Sequence, residues 1–235
     1  ALVANTARLG TLSQGSSTGT SGESGIVVLG AALSADSLTA RSGVVALGAL
    51  SGTLVVGSVA AEGWVGLTKQ GAAALAGNDL RYGSITAGGH STALLNPADP
   101  LTVQLVSHTG ASGGAITATA GKLRVNAAGA IDLGTLQAGE AISVEAGANT
   151  FGQPARGIIT VASATSDTGA VRLTSENTLG AGGISMGDIT AATDIELITS
   201  GSNGGSISGG TLTATGGRIL ADSAGGISLD AGTAG

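Results

Sequence analysis

The residues best able to do chemistry in this chain are its two histidines, His90 and His108, which stand 18 positions apart. Were one coil of a repeat to span that distance, the imidazoles would stack and could begin a metal site. Zinc, however, takes three or four ligands, commonly histidine with cysteine or carboxylate. The chain has no cysteine and no close carboxylate cluster beside either histidine, so the two read as surface groups and no metal is expected. The acids Asp132, Glu145, Asp194 and Glu196 are dispersed, and only nine lysines and arginines serve the whole chain. The gathered carboxylates and bases of a polysaccharide-cleaving site are therefore not assembled, and an enzyme is not expected.

Other motifs fail for equally specific reasons. Glycine-rich runs such as GSNGGSISGG precede strand-like segments, not helices, and lack the lysine of a phosphate loop. GGISMGDIT and GGISLDAGT come nearest to a calcium-binding nonapeptide but do not recur at nine residues. Thr117 with Thr119 and Thr211 with Thr213 are isolated pairs, whereas ice binding needs a flat row of such pairs on every coil. No cofactor is implied. A net charge of −6 with no basic cluster disfavours nucleic acid and acidic lipid headgroups. No run of 18 apolar residues is present for membrane insertion, and ALVANTARLG lacks the features of a signal peptide. The absence of cysteine is compatible with export in an unfolded state.

What positions these residues is a repeat. Ile131 to Ala146 reads IDLGTLQAGEAISVEA. Ile131, Leu133 and Leu136 are apolar, Gly134 interrupts the alternation, and Ala138 ends the first run. After a turn at Gly139 and Glu140, Ile142 and Val144 share one face, with Ser143 and Glu145 on the other. Period two is strand. The unit recurs at Ile184, Met186, Gly187, Ile189 and Ala191 with its second run at Ile195 and Leu197, and again at Ile207 with its second run at Ile219. Weaker copies of the first run lie at Leu80, Tyr82, Gly83, Ile85 and Ala87, at Val45 and Leu47, at Val27 and Leu29, and at Leu9, Gly10 and Leu12.

Two or three short strands per repeat, glycine at the corners and no helical spacing predict a solenoid whose coils stack because none can bury its apolar face alone. Composition agrees. Apolar residues make up 42% but aromatics only 1%, which suits a thin tube packed with Ala, Val, Ile and Leu, and the 43 glycines suit its corners. The expected architecture is an all-β parallel β-helix with coils of about 18–24 residues, a single segment over 1–235. At strand spacing it should be a rod of roughly 11 coils and about 50 to 55 Å. SGIVVLGAAL and SGVVALGAL are near duplicates 18 residues apart (Ile26 and Val44) and suggest coil length in the N-terminal half.

Two irregular excursions interrupt the pattern, at about 64–110 and 147–157. The first holds Trp64, Tyr82, both histidines and NPADP, whose prolines cannot donate to a ladder. The second holds Phe151, Pro154 and Arg156. Trp64, Tyr82, His90, His108, Phe151 and Arg156 are the candidate surface-contact residues, toward glycans or other surface proteins. Arg124, Asp132, Glu145, Arg172, Glu196 and Asp230 all fall in outward slots, and none of these charges points inward. From Val171 to Ile219 the repeat interval is 24, so Arg172 should stack on Glu196 and Asp194 on Arg218.

At IDLGTLQAGEAISVEA, GISMGDITAATDIELIT and GGSISGGTLTATGGRILADSAGGISLDAG the chain resembles the shaft repeats of filamentous haemagglutinin-type exoproteins of bacteria. The resemblance covers most of residues 25–63 and 114–235. It implies a right-handed β-helix shaft, secretion through an outer-membrane partner, an extracellular position at the cell surface, and adhesion, biofilm matrix or toxin delivery from a tip. The family's N-terminal secretion motifs of Asn-Pro-Asn type are not matched, since Asn96-Pro97-Ala98-Asp99 departs from them. A shaft segment is therefore expected. The alternative is a self-assembling filament or surface-layer subunit, because a solenoid with no visible cap presents strand edges that invite end-to-end association.

Overall fold

A computed structural model describes residues 2–14, 25–41, 43–71, 80–89, 101–147, 157–177, 182–202 and 205–235. Among these residues there are nineteen strands and no helix. In chain order they are β1 (Leu2–Gln14), β2 (Gly25–Ala40), β3 (Val44–Ala49), β4 (Leu54–Ala61), β5 (Val65–Lys69), β6 (Leu80–Ala87) and β7 (Leu101–Ser107). There follow β8 (Ala111–Ala118), β9 (Lys122–Ala127), β10 (Ile131–Ala138), β11 (Ile142–Ala146), β12 (Ile158–Ser166) and β13 (Val171–Glu176). The last are β14 (Gly182–Met186), β15 (Ile189–Ala191), β16 (Ile195–Ser200), β17 (Gly205–Ala214), β18 (Ile219–Ser223) and β19 (Ile227–Ala234).

Every pairing is parallel, and each strand pairs with one a full coil away. This is a β-solenoid of about 8 turns. In the first stack Ile26, Val45, Val65, Val103, Leu123, Ile142, Val171, Ile195 and Ile219 lie one above another. Successive numbers differ by 19, 20, 38, 20, 19, 29, 24 and 24, so most coils have the expected length and the two long steps hold the inserted segments. Eight steps at about 4.8 Å give an axial rise of about 38 Å. The expected 11 coils are too many because the inserted residues lengthen two coils without adding levels.

The second stack is bent. Along β10 the inward residues are Ile131, Leu133, Leu136 and Ala138, with Gly134 and Thr135 both outside the core between them. Two successive residues off the core turn the chain through a corner. In β6 the same corner falls at Gly83 and Ser84, and between β14 and β15 at Gly187 and Asp188. Glycine is needed there: a Cβ on Gly57, Gly83 or Gly114 would stand 2.2–2.3 Å from the carbonyl oxygen of the coil beneath. Beside it, Ser58 Oγ donates to Ser37 Oγ at 3.0 Å and Ser163 Oγ to Thr135 Oγ1 at 3.3 Å, linking coils along the outside.

The core is the set of inward columns. One narrow column is almost all alanine: Ala40, Ala61, Ala87, Ala118, Ala138, Ala191 and Ala214, each nearly or wholly buried. In the first stack the third inward column turns polar, and its hydroxyls bond to chain carbonyls. Ser107 Oγ donates to Gly110 O at 2.8 Å, Ser175 Oγ to Gly157 O at 2.8 Å and Thr199 Oγ1 to Gly205 O at 3.0 Å. These three buried hydroxyls are thereby satisfied, whereas those of Tyr82 and Thr102 have no hydrogen-bond partner among the described residues.

Large residues over glycine keep the width constant. A Cβ on Gly113 would lie 2.4 Å from the Tyr82 ring, and one on Gly209 would lie 2.5 Å from Met186 Cγ. Gly209 thus replaces an apolar residue of the repeat because Met186, one coil below, already fills its place.

Several expectations change. The stretch from Trp64 to Gly110 keeps the ladder in β5, β6 and β7. The NPADP segment and the bulk of the 147–157 excursion lie outside the described residues. Val45 belongs to the second-run stack with Ile142, and Leu54, not Val45, heads the first-run position of its coil. Gly25, not Ile26, pairs with Val44, so the near duplicates are offset by 19. That one-residue slip sets Val45 and Leu47 in the ladder over Ile26 and Val28 as the inward pair, and Ala46 falls on the outer side between them. Lys69 breaks the rule of outward charge: it is wholly buried on the third inward column, between Ala49 and Ser107.

Candidate functional site

The outer face of the first stack is built from residues that alternate with the inward columns. Its first outward column runs Val27, Ala46, Gly66, Gln104, Arg124, Ser143, Arg172, Glu196, and its second Leu29, Gly48, Thr68, Val106, Asn126, Glu145, Thr174, Ile198. The face therefore changes character along the rod, from apolar and glycine-rich to charged.

At the apolar end lies a cleft of about 250 Å³. Gly48 and Gly66 form its floor, Val27, Leu29 and Leu50 its rim, and Trp64 a wall. The rim residues are 38%, 42% and 51% exposed, three of the few large apolar side chains left open to solvent. Two glycines make room for the large side chains beside the cleft. The ring edge of Trp64 occupies the place of a side chain on Gly66, 2.2 Å from where its Cβ would stand, and Leu29 lies 2.5 Å from a Cβ on Gly48. Thr68, Gln70 and Gln104 supply polar groups at the side facing the later coils.

Trp64 is only 5% exposed, and its Nε1–H has no hydrogen-bond partner among the described residues. A buried donor left unpaired costs about 1–3 kcal/mol. The nitrogen is itself closed to solvent, and Asn126 Oδ1, further along the same face, is likewise buried without a hydrogen-bond partner among the described residues.

Further along, Arg124, Asn126, Ser143, Glu145, Arg172 and Thr174 line a second hollow of about 370 Å³. The register expectation holds: Arg172 pairs in the ladder with Glu196, and their side chains meet at 3.5 Å. Arg218 approaches the same carboxylate at 3.8 Å. Asp194 takes a different part, its Oδ1 accepting the backbone N–H of Arg218 at 2.9 Å. Arg172 and Arg218 thus share the one Glu196 carboxylate, and the hollow itself sets Arg124 and Arg172 beside Glu145.

Of the six candidate contact residues, the three that are described do not form one surface. Trp64 lies in the cleft wall. Tyr82 is corrected outright, since it turns into the core, 5% exposed, with its ring over Gly113. Burial, and secondarily the charge of Asp132, pushes its phenol well above the ordinary value. His108 follows β7 and is partly buried, and desolvation together with the nearby Lys69 ammonium holds its imidazole below the usual range. His90, Phe151 and Arg156 lie outside the described residues. Val27, Leu29, Gly48, Leu50 and Gly66 were missed, although Ile26-Val27-Val28-Leu29 carries a signal: four apolar residues in succession leave two for the outer face.

Among the described residues no three metal-binding side chains come together, and no helix is long and apolar enough to cross a membrane. The threonines are more ordered than their spacing implies. Thr86 pairs with Thr117, and Thr165, Thr190, Thr213 and Thr233 continue one outward column, with Gln137 between the two groups. The neighbouring column holds Ala115, Asp188 and Ala231, and in it only Thr211 completes a threonine pair with Thr213. Comparison with family models, with curated proteins and with solved structures gave no match.

Proposed function

We propose that this chain is a length of structural shaft from a secreted bacterial surface protein of filamentous haemagglutinin type, a rigid spacer that holds a binding or toxic tip away from the cell. The observation that carries the reading is the continuity of the inward columns through about 8 turns, including the coils that hold the inserted segments. Parallel ladders in register resist bending because every coil is hydrogen-bonded to the next along its strands. The outer face varies while the core does not, which is what a spacer tolerates. The resemblance of the repeat to exoprotein shafts supports export across an outer membrane by a dedicated partner, and the lack of cysteine is compatible with passage in an unfolded state. The role is mechanical and not enzymatic.

Electron microscopy of the purified chain tests this. Separate rods about 40 Å long, as strand spacing requires, are the expected result. Long unbranched filaments would replace the shaft with a self-assembling subunit, and round particles would remove both.

A further inference from the structure

We draw no further inference here: the strongest candidate, the polar hollow on the outer face of the first stack between Arg124 and Arg172, carries nothing because Arg172 is already held by Glu196 and Thr174, the Asn126 Oδ1 on its lining is closed to solvent, and nothing in the structure shows what covers it.

Discussion

The coils around Val27 to Gln70 and those around Lys122 to Ser200 share an interior and differ on the outside. Inward, Val45, Val65, Leu123, Ile142, Val171 and Ile195 are interchangeable, each wholly or almost wholly buried. Outward, the early coils present Leu29 and Trp64 laid over glycines, while the later ones present Arg172 between Thr174 and Glu196. The difference teaches where selection can act on a solenoid. The inner columns answer to packing and to the absence of water. The outer columns answer only to their neighbours one coil away, and can become a cleft or an ion-pair row without altering the rod.

The sharpest way to break this comparison is to put the two faces of one strand against each other. Leu133→Asp and Ile195→Asp should each lose about 4 kcal/mol or fail to fold, because they bury an unpaired carboxylate in a thin core. Asp132→Ala, on the exposed side of the strand that holds Leu133, should stay within about 0.5 kcal/mol. Chemical denaturation of the three proteins measures the gap, and equal midpoints would reverse the assignment of faces.

A smaller effect sharpens the point about large residues over glycine. Tyr82→Ala should cost about 3 kcal/mol by opening a cavity. Gly113→Leu on that background should recover part of the loss, although the same change in the presence of Tyr82 should destabilise, since its side chain would overlap the ring. A double-mutant cycle by urea unfolding reads the coupling; additive effects would mean that the two positions do not share one space.

The smallest effect belongs to the charged outer face. The Arg172 and Glu196 side chains are 3.5 Å apart and partly solvated, so their coupling should be about 0–1 kcal/mol and should shrink in high salt. A cycle with Arg172→Ala and Glu196→Ala in low and high salt tests this. A coupling of several kcal/mol that ignored salt would make the outer face a structural element on a par with the core.

Much of this was legible in the residues themselves. Alternation with glycine interruptions identifies strands, corners and stacking, and in the later coils it also identifies register, because Val171, Ile195 and Ile219 recur at one interval and place Arg172 on Glu196. Of the cleft, the sequence offered Trp64 and an apolar run at Ile26 to Leu29, but not their meeting. A period of two says which residues share a face. It does not say which coil lies above which, and inserted segments make the interval vary from 19 to 38. Hence the slip that sets Ile26 on Val45, the inward turn of Lys69 and the lodging of Trp64 over Gly66 were decided only in three dimensions. Each depends on the volume left by a neighbour one coil away, and that neighbour is set by the stacking of the whole chain.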